Sequence, residues 1–173
     1  MKLVISQDSA DSLNAKRGAF INQLREEYNV LVSFYQDKKN RQLDRREWVA
    51  SIQGYIDNVQ FALVTIQRKI ANHLRATYDG RDSYSLKMLI NKVYVTKLIG
   101  AQGCMIQEIA SLAGGASIKI LSSRMDEKKP GSNDIIVCIA GGLGAIGDAS
   151  CIIIEQMECF KKGGPVKIFN LGT

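Results

Sequence analysis

The residues whose types and spacing best fit a chemical task are Gly100 and Gly103, which bracket Ala101 and Gln102 in the run Leu98-Ile99-Gly100-Ala101-Gln102-Gly103. That task is recognition rather than catalysis. Glycines at both ends of a tight turn remove side chains, so a phosphodiester can lie against main-chain amides at the start of the next helix. The positive end of that helix dipole points the same way. Ile106 and Ile109 follow at helical spacing, and Ala116-Ser117-Ile118-Lys119-Ile120 then alternates as a strand does.

Nothing else in the chain competes with this turn. General acid–base catalysis needs titratable groups that converge. Here the acidic residues fall mainly in loops and on helix faces, and His73 is the one histidine. Cys104, Cys138, Cys151 and Cys159 form no C-x-x-C pair, so a zinc site of ordinary spacing is not expected. Free thiols suit a reducing compartment. The run Gly141-Gly142-Leu143-Gly144 lacks dinucleotide-binding spacing. The expectation is a protein without catalysis, metal or cofactor.

The elements that must position the turn occur twice. A shift of 85 residues sets Met1–Ser6 on Leu86–Asn91, Leu13 on Leu98, Gly18 on Gly103, Ile21 on Ile106 and Leu24 on Ile109. Further on, Val30–Phe34 answers Ala116–Ile120, and Trp48–Gly54 answers Ile135–Gly141. Self-similarity over this length indicates duplicated domains, because solenoid repeats are shorter. Each half reads as strand (2–6; 86–91), short helix (9–14; 94–99), turn, helix (18–27; 103–112) and strand (30–35; 116–121). A polar loop, a third strand (47–53; 135–140) and a long closing helix (55–76; 143–161) follow. Asn29 and Gly114-Gly115 are the expected helix stops. Trp48 is expected to pack in the core, and the basic loop Lys38–Arg46 reads first as a solvated face.

At 173 residues with 46% hydrophobic and 23% charged residues, the composition is that of a globular protein. No apolar run approaches the roughly 20 residues that span a bilayer, and the start of the chain does not read as a signal peptide. No membrane partner is expected, and the expected location is cytoplasmic or nuclear. The net charge of +6 divides evenly, with 12 basic and 9 acidic residues in 1–80 and 11 and 8 in 81–173. That bias is compatible with a polyanionic partner.

This element order, with G-x-x-G in the turn and Gly115-Ala116-Ser117-Ile118-Lys119-Ile120 as its sequel, resembles the type I KH domain. The second half resembles the poly(C)-binding and Nova-like branch. The first is similar to a divergent KH domain, with Ala15-Lys16-Arg17-Gly18 in place of G-x-x-G and Asn14 where an apolar residue is usual. The resemblance implies an α+β fold of two βααββα units, 1–78 and 85–162, each a three-stranded antiparallel sheet packed on three helices, with a tail at 163–173. It implies a turn that clamps about four nucleotides, formed here by Gly100, Ala101, Gln102 and Gly103. Ile99, Ile106 and Ile118 would floor the groove, with Lys119 and Arg124 along its edge. In the first unit Lys16, Arg17 and Arg25 would contribute charge. Ala101 and Gln102 carry no charge where KH turns often have a basic residue, and Ile135 and Ala110 stand where the poly(C)-binding branch has basic residues. No cytosine preference follows.

The function implied is binding of single-stranded RNA, with single-stranded DNA as the near alternative, in regulation of mRNA splicing, stability, localisation or translation. A different class of reading is a protein-interaction or homodimerisation scaffold built from degenerate KH units. Loss of affinity with rising salt separates the two.

Overall fold

A computed structural model describes residues 1–40, 42–77, 84–121 and 133–164. Arg124, most of the link between the halves and residues 166–169 of the tail lie outside them. The first half comprises β1 (Lys2–Ser6), α1 (Gln7–Tyr28), β2 (Leu31–Tyr35), β3 (Glu47–Gln53) and α2 (Ile56–Thr77). The second comprises β4 (Tyr84–Asn91), α3 (Lys92–Ile99), α4 (Cys104–Leu112), β5 (Ser117–Leu121), β6 (Asp134–Gly141) and α5 (Leu143–Lys161). Helix α1 is broken at Ala15–Gly18, so it supplies the two helical stretches that α3 and α4 supply in the second half.

The same local chemistry starts and stops these elements in both halves. Ser6 Oγ accepts from the Ser9 amide at 3.2 Å, and Asn91, its counterpart, accepts from the Val93 amide at 3.0 Å. Each side chain satisfies a donor that a helix N-terminus would otherwise leave unpaired. Asn29 closes α1 with φ +50. After α4, Gly114 and Gly115 take φ +70 and +83, and the Gly115 amide reaches back to Ala110 O at 2.8 Å.

Two separate three-stranded sheets were expected. The structure joins them edge to edge into one antiparallel sheet of order β2-β3-β1-β4-β6-β5. At the seam Leu3 lies opposite Met88, its own counterpart in the repeat. A local two-fold axis therefore passes through that pair, and contacts beside it occur twice. Lys2 pairs with Asp134 at 2.7 Å, and Lys87, the counterpart of Lys2, pairs with Glu47 at 2.5 Å. Nothing in one half's pattern reveals this, because a strand edge that will be covered reads like one that will not.

The helices lie on one face, and their core runs through both halves: Leu13, Leu24, Leu63 and Ile66 join Leu98, Ile109, Ile139 and Ile153 in one buried cluster. Trp48 packs against it, as expected. Helices α2 and α5 also meet across the axis. Gln67 Nε2 donates to the buried Ser150 Oγ at 3.3 Å, and Gln60 Nε2 donates to Cys151 O at 3.1 Å.

On the opposite face Val4, Val49, Leu89 and Ile136 form a smaller cluster, with Tyr35 and Leu43 packed against it. The β2–β3 loop supplies that cover and is more than a solvated face. Asn40, buried, donates through Nδ2 to Asp134 O at 3.3 Å, and Gln42 Oε1 accepts from the Ile136 amide at 3.1 Å. Lys38, Lys39, Arg45 and Arg46 stay exposed around this anchor.

Candidate nucleic-acid interface

The second turn is built from the end of α3, a single 3-10 turn over Ala101–Gly103 and the start of α4. Gly100 takes φ +71 and ψ −177, Gln102 φ +51 and Gly103 φ +81. These left-handed values explain glycine at both ends. They do not act alike. A Cβ at 100 would lie 2.8 Å from Met105 Cβ and 3.0 Å from the Met105 amide nitrogen. A Cβ at 103 would meet nothing nearer than Gln107 Nε2 at 3.9 Å.

This corrects the expectation that both missing side chains open space for a ligand. The space at 100 is taken up by the first turn of α4, and only the space at 103 faces outward. The amides are likewise redistributed. Gly100 N–H donates to Thr96 O at 3.3 Å, Gly103 N–H to Gly100 O at 3.4 Å, and Cys104 N–H to Ala101 O. Ala101 and Gln102 are exposed, so a ligand meets the middle of the turn before its glycines.

Ile99 and Ile106 flank this turn, and α4 packs beside β5, which carries Ile118 and Lys119. The three isoleucines are half-buried and Lys119 is exposed. The structure therefore brings Ile99–Gly103, Ile106 and Ile118 into one region, while Lys119, next to Ile118 in β5, leaves the strand on its other face. It places Lys16, Arg17 and Arg25 in the other half, exposed and without an ion pair among the described residues.

The first turn has a different backbone. Ala15, standing where Gly100 does, takes φ −56 and ψ 159. Lys16, Arg17 and Gly18 then take φ +53, +58 and +74 in succession. Two side-chain-bearing residues are therefore left-handed here, against Gln102 alone in the second turn, each at about 1 kcal/mol. The counterparts of the isoleucine floor are also sealed or polar. Ile21 and Val32 are only 7% and 6% exposed, and Asn14 replaces Ile99. Sequence reasoning missed the strain at Lys16 and Arg17; loss of the first glycine was the one available signal.

Among the described residues no group of three or more potential metal ligands occurs, and no helix is long and apolar enough to cross a membrane. A family model for the KH domain matches residues 85–155. No curated protein matches the chain. Among solved structures, Dim2p from Pyrococcus horikoshii OT3 is 15% identical, with 90% of this chain and 89% of that chain covered at a TM-score of 0.29. A chain in the a/eIF2alpha–aDim2p–rRNA complex from the same organism is also 15% identical, with 95% and 87% covered at 0.31. Those scores are too low to fix a shared overall arrangement. The element order β4–α3–turn–α4–β5–β6–α5, the glycine-bounded turn and the family match agree over one stretch: residues 85–155 are a KH domain.

Proposed function

We propose that this protein binds single-stranded RNA, chiefly through the groove beside Gly100–Gly103, and that the first half is a divergent second KH unit. The observation that carries this reading is the exposed, glycine-bounded turn at Ala101 and Gln102 beside half-buried Ile99, Ile106 and Ile118. Amides on an exposed turn suit a phosphate, and the aliphatic surface beside them suits the faces of unstacked bases. In this reading Lys119, Lys16, Arg17 and Arg25 add longer-range attraction, and no bond is made or broken. The work is mRNA regulation inside the cell.

Replacing Ala101 and Gln102 together by aspartate tests the reading. Aspartate tolerates the left-handed backbone at 102, and both positions are exposed, so the fold should survive. RNA affinity in a fluorescence titration should fall at least about 10-fold, because two carboxylates would face the phosphates. Unchanged affinity overturns the assignment. A matched DNA strand in the same titration reports whether the 2′-hydroxyl matters.

The sealed floor of the first half (Ile21, Val32) favours a scaffold role for that half alone. Its signature is RNA binding whose salt dependence is unchanged when Lys16 and Arg17 lose their charge.

A further inference from the structure

The β2–β3 loop of the first half is fastened to one particular end of the KH domain. Asn40 Nδ2 reaches Asp134 O and Gln42 Oε1 receives the Ile136 amide. Ile136 lies opposite Leu121, the last residue of β5, and Asp134 lies opposite Asn91, which caps α3. The Lys92 amide donates to Asn133 O at 2.8 Å at the same end. Helix α4 joins the start of β5 through Ala113–Ala116 and packs along that strand. A helix of 9 residues and a strand of 5 are both roughly 15 Å long. With its C-terminus beside Ser117, α4 therefore carries the Gly100–Gly103 turn toward the Leu121 end. Loop and turn share one end of the domain, on opposite faces of the sheet.

The loop encloses a cavity of about 380 Å³ lined by Asp37, Lys38, Leu43, Asp44, Arg45 and Glu47. Its carboxylates are committed to holding the loop. Asp37 Oδ1 accepts from the Lys39 and Asn40 amides at 3.1 and 3.3 Å, and Asp44 Oδ1 from the Arg46 amide at 3.4 Å. Glu47 takes the Asp44 amide at 2.9 Å on one oxygen and Lys87 on the other. Lys38 and Arg45 are exposed and have no ion pair among the described residues. Across 36–47 basic residues outnumber acidic ones five to three. The cavity thus offers two uncommitted cations and an apolar wall, Leu43.

We propose that this cavity holds one nucleotide of the same RNA strand that the Gly100–Gly103 groove binds, its phosphate at Lys38 and Arg45 and its base against Leu43. This rests on the groove reading above and adds a second site to it. The volume is at the low end for small-molecule sites, enough for one nucleotide unit. Cations without carboxylate partners are what a phosphate requires, and each phosphate neutralised releases counterions. The uncharged turn at Ala101 and Gln102 then has its basic residues supplied by the other half of the chain, through a loop tied down at Asn40 and Gln42. An acidic peptide would meet the same cations, but it has no flat ring to lay on Leu43.

Three double variants and two strand lengths test this. Lys38→Ser with Arg45→Ser removes the two cations; both are exposed, so the fold should survive. Arg68→Ser with Lys69→Ser removes equal charge from an exposed stretch of α2, and Ala101→Asp with Gln102→Asp disables the turn. Each is titrated with fluorescent RNA of about four nucleotides, the length the turn holds, and of about ten. The loop variant should bind the short strand as the unaltered chain does and the long one about 5-fold more weakly, with a salt slope for the long strand shallower by about 1.4. The α2 variant should change the two lengths alike and by less than about twofold. The turn variant should weaken both. A turn variant that weakens both lengths beside a loop variant that weakens neither overturns the loop site and leaves the groove standing. A turn variant that weakens neither length overturns the groove reading, and the shared strand with it. The loop site also fails if its variant weakens both lengths equally, if the α2 variant matches it on the long strand, or if an oligoglutamate peptide competes for it better than RNA.

Discussion

The two turns of this molecule occupy matching places in its two halves and differ in what they hold. The second turn has the backbone: Gly100 takes one left-handed position so that only Gln102 is strained, Met105 packs beneath it, and aliphatic surface lies alongside. It has no charge of its own. The first turn has the charge, with Lys16 and Arg17 exposed at its tip, but its backbone is strained and its floor is closed by Ile21 and Val32. A phosphate-binding turn needs a shape and a field, and here the shape lies in one half and the charge in the other. Aliphatic contact falls off within a few ångströms, whereas attraction between charges reaches about a Debye length, roughly 8–10 Å in ordinary salt. In the proposed reading, the second half holds a strand in register and the charge of the first attracts one.

The largest effect that would break this comparison is on stability. Gly100→Ala forces a Cβ to within 2.8 Å of Met105 Cβ at φ +71, and should cost about 3 kcal/mol in urea unfolding. The reciprocal change, Ala15→Gly, removes a methyl from a residue already at φ −56. It should cost only about 0.5–1 kcal/mol, from the added freedom of the unfolded chain. Similar costs at the two positions would mean that the turns do not differ as described.

A smaller effect sharpens the division of labour. Lys16→Asn with Arg17→Asn removes two charges and suits the left-handed backbone at both positions. Stability should rise by a few tenths of a kcal/mol while RNA affinity falls about 3- to 10-fold. The slope of log affinity against log salt should become shallower by about 1.4, the value for two phosphate contacts on a single strand. Opposite movement of stability and affinity is what separates a strained functional turn from an incidental one. An unchanged slope would leave the first half as scaffold.

Much of this was legible in the sequence because the signals were local. The stops at Asn29 and Gly114-Gly115, the helical spacing of Ile106 and Ile109 and the alternation of Ala116–Ile120 all act within a few residues, and the element order followed from signals of this kind. Three features were not legible, each because it depends on a distant neighbour. Fusion of the sheets depends on Leu3 meeting Met88. The anchored loop depends on Gln42 and Asn40 reaching β6. The role of Gly100 depends on where α4 brings Met105, so a vacancy apparent in the sequence is filled in the fold.

The smallest effect asks which turn a bound strand covers. Cys104 is exposed directly after the second turn, and Ala19, its counterpart, is exposed directly after the first. Cys151 serves as the internal standard: burial, then the nearby Glu155 and Asp148, push its thiol up to about 11. At pH 8 only about a thousandth of it is thiolate, so it alkylates slowly with or without RNA. Saturating oligonucleotide should slow alkylation of Cys104 about threefold or more and leave Cys151 untouched. In the Ala19→Cys variant the introduced thiol should be protected less than Cys104, because charge at a distance gathers a strand without shielding the first turn. Equal protection at 19 and 104 would show two working grooves and dissolve the contrast; protection at neither would remove the strand from both.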